Sequence, residues 1–159
     1  MKDYQRKRIR LVGRILMILY IFLLIYFLFF AEWYGRGPEV NAEPRYNLVP
    51  FLEIHRYLHY KEILGDQMVF LNLFGNVIGF IPLGFLLPVV CSGFKKPGIV
   101  IYLGITISIM VECLQLLLRV GSCDVDDVIL NTIGTVIGYI CYRICNAIRR
   151  KLYGKKAKV

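Results

Sequence analysis

Acidic residues are scarce in this sequence. Eleven Asp and Glu stand against 20 Lys and Arg, and the four charged types together make up only 19% of 159 residues. Ordinary soluble domains carry roughly 25% charged and 45–50% apolar residues, whereas this chain is 57% hydrophobic, with a mean hydropathy of +0.58. So little polar surface excludes a simple soluble globule, and the length leaves no room for a catalytic domain beside a membrane unit. The chain also lacks an internal repeat, a nucleotide-binding glycine loop, an HExxH helix, a serine–histidine nucleophile set and a complete metal cluster. These absences narrow the chemistry available to it. What is present is a net charge of +9. Nucleic-acid binding would display that charge on a folded polar surface, whereas a membrane protein collects it in the segments left in the cytoplasm.

The positions of the charges favour the membrane. Uncharged runs cover Ile15 to Ala31, Gln67 to Phe94, Pro97 to Leu118 (broken only by Glu112) and Val128 to Tyr142. The first reaches back to Leu11 past a snorkelling Arg14. The last, at about 22 Å, continues to Ile148 with Arg143 reaching the interface. The expected fold is all-α: a polytopic membrane protein with four transmembrane helices at about 11–31, 68–94, 97–118 and 128–148. A larger extracytoplasmic loop, 32–67, joins the first two. A basic N-terminus (1–10) and a basic tail (149–159) flank this membrane domain (11–148). Residues 1–14, 95–96 and 143–159 together hold 15 basic residues against the single acid Asp3, while 32–66 and 119–127 hold five basic against nine acidic. Lys and Arg mark the cytoplasmic side, so both termini are expected inside the cell membrane and the two acidic loops outside. A cleaved signal peptide is the rival reading of the first run. Its apolar stretch is long for that role, and Phe29-Phe30-Ala31-Glu32 lacks the small-x-small pattern that precedes cleavage.

Five cysteines fit no extracellular disulfide framework, because Cys91, Cys141 and Cys145 fall at cytoplasmic helix ends, Cys113 lies within the third helix and only Cys123 sits in an outer loop. Cys141 and Cys145 share a helical spacing but make an incomplete zinc set, so small apolar filling is their expected role. The outer loop should be irregular from Gly35 to Pro44. From Phe51 to Leu64 it should form a short helix lying on the membrane surface, with Trp33, Tyr34, Tyr46, Tyr57 and Tyr60 as interfacial aromatics. His55 and His59 have the i, i+4 spacing of zinc helices without the rest of the motif, and read as an interfacial polar pair. Gly75-x-x-x-Gly79 and Gly134-x-x-x-Gly138 have helix-packing spacings. Pro82 and Pro88 are expected to bend the inner half of the second helix.

Hydrocarbon tolerates few polar groups, so those inside the spans carry the most information. Glu112 is the one ionisable group well inside a span, where a carboxylate costs on the order of 3 kcal/mol, and it must face protein or water. Helical rise places it about 9 Å below the outer boundary, with Asn72 and Asn76 roughly 6 and 12 Å deep and Asn131 about 5 Å deep. Gln115 shares the face of Glu112. These groups are expected to line a polar pocket open to the outer leaflet, roofed by Asp124, Asp126 and Asp127. The competing reading is that the amides only join helices and that Asp124 or Asp126 caps the fourth helix.

Four blocks carry a resemblance: Asn47-Leu-Val-Pro-Phe51; Asn72-Leu-Phe-Gly-Asn76 running on to Pro82-Leu-Gly84; Glu112-x-x-Gln115; and Asp124-Val-Asp-Asp127-Val-Ile-Leu-Asn131 with Gly134, Gly138 and Tyr139. Together they resemble the VanZ-like family over roughly residues 11 to 148. Many relatives carry an Arg and an aromatic residue before the acidic turn, where this chain has Gly121-Ser122-Cys123. The resemblance implies a bacterial envelope protein that affects susceptibility to teicoplanin or other glycopeptides, and it supplies no catalytic mechanism. The partner expected from pocket and resemblance is a lipid-linked cell-wall component or an anionic lipid, with no nucleic acid. A divalent cation held by Asp126 and Asp127 would be the only cofactor. The alternatives are an enzyme using Glu112 or Asp127 as general base and a scaffold for another envelope protein.

Overall fold

A computed structural model describes residues 3–29 and 46–154. The breaker-rich stretch of the outer loop with Trp33 and Tyr34, and the end of the basic tail, lie outside these residues. Four helices are long and apolar enough to cross a membrane. They are α1 (Asp3–Phe29), α4 (Asp66–Val90), α5 (Pro97–Leu118) and α6 (Val125–Gly154). Two short helices, α2 (Leu52–His59) and α3 (Lys61–Leu64), fill the second part of the outer loop. The protein is therefore an all-α, multi-pass membrane protein.

The boundaries differ from hydropathy in understandable ways. α4 stops at Val90, four residues short of Phe94, because the chain turns extended at Cys91 and bends through Lys96 to reach Pro97 at the first turn of α5, where its missing N–H costs nothing. α6 begins at Val125, earlier than the uncharged run, because Asp126 and Asp127 belong to its first turn, where the helix dipole favours negative charge. α4 runs as one helix through Pro82 and Pro88. Pattern reading also missed a parallel pair of two-residue strands, β1 (Tyr46–Asn47) and β2 (Cys123–Asp124), with Tyr46 opposite Cys123 and Asn47 opposite Asp124. That pair ties the outer loop to the start of α6.

α4 and α6 form the most extensive helix contact, with α5 on α6 and α1 on α4. Glycine permits the central contact. A Cβ on Gly84 would overlap the Thr135 carbonyl, one on Gly134 the Val77 carbonyl and one on Gly138 the Ile81 carbonyl. Backbones this close leave room only for hydrogen. Gly79, by contrast, faces α1, and its Cβ would meet Leu24 at an ordinary 3.9 Å. The α4 half of the seam therefore runs through Gly84, not through Gly79. Phe80, Leu83, Leu87, Val100, Tyr139 and Tyr142 fill the core. Buried phenols find carbonyls: Tyr20 donates to Gly79 O at 2.8 Å and Tyr139 to Lys95 O at 2.8 Å.

Candidate functional site at the acidic end of the bundle

The polar residues converge where β2 leads into α6. Asp124 accepts the Asp126 N–H at 2.8 Å, a local cap that opens α6, and also accepts from Asn47 Nδ2 at 3.2 Å. Its own N–H donates to Glu112 Oε2 at 3.0 Å. Asp126 turns the other way and caps α2, because its two oxygens accept the N–H groups of Phe51, Glu53 (2.9 Å) and Ile54 (3.1 Å). These are donors that the first turn of a helix cannot satisfy internally. Asn47 Oδ1 accepts from Val49 N–H at 3.0 Å and completes the turn. Two non-glycine residues in the left-handed region frame this cluster, Phe51 (φ 65°) before α2 and Arg119 (φ 55°) after α5. Such conformations persist only where the surroundings hold them, and the Asp126 carboxylate supplies that hold at Phe51.

The other expected site residues divide by partner. Asn76 Nδ2 donates to Asp127 Oδ1 across the α4–α6 contact. Gln115 Nε2 donates to Leu28 O at 2.9 Å, joining α5 to the end of α1. Asn131 Nδ2 donates to Ser108 Oγ at 2.9 Å, joining α6 to α5. Asn72 turns back to Met68 O on its own helix at 2.8 Å.

Burial divides the expected pocket residues into two groups. Glu112, Gln115, Asp124, Asp126 and Asn131 are all 6% exposed or less. They form an enclosed brace that holds the outer loop on the bundle. Asp126 turns both oxygens to backbone donors, and Glu112 is 2% exposed. Among the described residues, no three His, Cys, Asp or Glu side chains are placed to hold a metal ion. His55 and His59 stack with centroids 5.9 Å apart on the exposed side of α2.

Asn72, Asn76 and Asp127 remain half-buried, and beside them α2 contributes Glu53 and Tyr57, which sequence reasoning had not picked as site residues. Only the helical spacing of α2 could have pointed to those two. Burial pushes the Asp124 carboxyl above its ordinary range, with the Asp126 charge adding to the rise and the Asp126 N–H, Asn47 and Arg56 opposing it. Burial also raises the Glu53 carboxyl, opposed by the Arg56 guanidinium at 3.0 Å. The Tyr57 phenol is raised by burial and then by Glu53, with Asp127 and Asp124 contributing. The half-buried rim is thus acidic, with amide and phenol donors among its carboxylates.

A family model described as VanZ/LLP1 matches residues 17–146, from the middle of α1 to the second half of α6. Protein VanZ of Enterococcus faecium is 30% identical over 140 residues, which covers 86% of this chain and 77% of that protein. No solved structure matches.

Proposed function

The chain belongs to the VanZ/LLP1 family, and on that premise we propose that it lowers susceptibility to teicoplanin or related lipoglycopeptides by binding a lipid-linked envelope component at the outer leaflet. The observation that carries this reading is the half-buried Asn76–Asp127 pair, with Asn72 on α4 and Glu53 and Tyr57 on α2 around it. The enclosed Glu112–Asp124–Asp126 brace holds that rim in place. Carboxylates accept from hydroxyl and amide N–H groups, and the Asn side chains and the Tyr57 phenol both donate and accept. A headgroup rich in hydroxyls and amides matches that set, while its lipid tail stays against the apolar helix surfaces. The excess of Lys and Arg on one set of connections supports an arrangement with the rim outside and both termini in the cytoplasm.

The test is expression of the chain and its variants in a susceptible Gram-positive host, at matched membrane levels. Asp127→Asn and Asn76→Leu should bring teicoplanin and lipoglycopeptide susceptibility back toward that of the host alone. Lys95→Ala, at the opposite end, should leave the protection intact. Unchanged protection in both rim variants would sink the reading.

A further inference from the structure

A cavity of about 530 Å³ opens between α1, α4 and α6, at the end of the bundle that holds the start of α1 and the end of α6. Its size falls within the range of small-molecule sites. The lining changes character along its length. On α1 it runs from Leu16 to Arg8, about 12 Å along the helix, and on α6 from Tyr142 to Arg149, about 10 Å. Both walls therefore pass from apolar to cationic in the same direction, and α4 closes the apolar end with Phe85 and Val89. Arg149 is oriented by Asn146 Oδ1 at 2.6 Å, and Arg8 lies over the Tyr4 ring at 5.7 Å. Among the described residues, neither guanidinium has a carboxylate partner.

We propose that this cavity binds an anionic phospholipid of the cytoplasmic leaflet, its headgroup phosphate between Arg8 and Arg149 and an acyl chain along Leu16, Phe85 and Val89. The charge at the mouth selects the occupant. Guanidinium groups pair with phosphate in two-point fashion, and basic pockets between membrane helices on the cytoplasmic side suit anionic headgroups. An apolar helix from a second copy would bury two guanidiniums that have no carboxylate partner among the described residues, and a free phosphate would leave the apolar lining wet. The site stands apart from the outer rim and does not depend on its role.

The experiment uses the full chain in vesicles of phosphatidylglycerol or of phosphatidylcholine, read by native mass spectrometry and by thermal unfolding. Wild-type protein should retain phosphatidylglycerol in preference to phosphatidylcholine and melt higher in its presence. Arg8→Gln with Arg149→Gln should reduce that preference by about tenfold or more, while Arg8→Lys with Arg149→Lys keeps most of it. Cys145→Trp, which fills the cavity and leaves both arginines, should also lose the lipid. Inorganic phosphate should not raise the melting temperature. Equal retention of the two lipids, retention by the Gln pair at wild-type melting behaviour, stabilisation by phosphate alone, or a lipid-free dimer as the main species would each overturn the proposal.

Discussion

Asp126 lies in the first turn of α6, yet the helix it caps begins 74 positions earlier in the chain. Three N–H groups converge on its carboxylate in a nearly dry setting. Removing it leaves those donors without an acceptor, so Asp126→Ala should cost roughly 2–3 kcal/mol, from a lost cap plus orphaned buried donors. Hydrogen exchange should rise at Phe51, Glu53 and Ile54, while the α4–α6 core keeps its protection. Asp124 predicts a pH effect of definite sign. Its carboxyl is raised in the folded protein, chiefly by burial. Between the ordinary carboxylate value and the raised one, the native state therefore holds a proton that the unfolded state has released. Stability falls as pH rises through that window and levels off above it. Asp124→Asn keeps an oxygen for the Asp126 N–H and should shrink this slope, leaving the part due to Glu53. Thermal unfolding followed as pH is raised from the ordinary carboxylate value measures it.

At the scale of elements, the seam between α4 and α6 is set by where a side chain has no room. Gly84→Ala places a Cβ into the Thr135 carbonyl, which would force the two helices apart at a cost of roughly 1–3 kcal/mol or more. Gly79→Ala meets only the end of Leu24 and should stay within about 0.5 kcal/mol of wild type, since alanine also favours the helix. Comparing the two variants by unfolding in detergent separates close packing from general sensitivity to added methyls. The GxxxG spacing found Gly134 and Gly138 but could not tell Gly79 from Gly84. Spacing marks a face without saying which helix that face will meet. Thr135 is the hinge of this contact, because its carbonyl faces Gly84 and its side chain meets the position of Gly104 on α5.

For the whole molecule, the four spans bring the start of α1, the turn at Lys95 and the end of α6 to one end, and the loop containing α2 together with the start of α6 to the other. The charge count leads us to expect the first end in the cytoplasm. In a cysteine-free chain, Lys95→Cys should resist a membrane-impermeant maleimide in intact cells and react after permeabilisation, whereas His55→Cys should react at once. The reverse pattern would invert the orientation, and with it the leaflet assigned to both proposed sites.

Much of this architecture was legible in the residues. Apolar length adds up locally along the chain, so the number of spans and their rough positions follow from summing over neighbours. Their ends do not: α1 reaches back to Asp3 and α6 runs on to Gly154, past the expected 11 and 148, because charged residues at a span's end can stay helical in the interface. The gathering of Glu112, Gln115, Asn131 and the aspartates at one end was also readable, as polar groups at similar depth, whereas Asn47 stood out only as part of a motif block and its bond to Asp124 came with the fold. Which carboxylate does what was not. Asp126 reaches donors 72 to 75 residues away, Asp124 an amide 77 residues away, and Gln115 a carbonyl 87 residues away. A side chain's exposure and partners depend on which helix faces pack together, and that is fixed only when the glycine seams close. The sequence alone determined a four-span membrane protein with an acidic end and a basic end. Tertiary packing decided that most of the acidic end is an internal brace with a half-buried rim, and that two arginines far apart in the chain share the mouth of one apolar cavity.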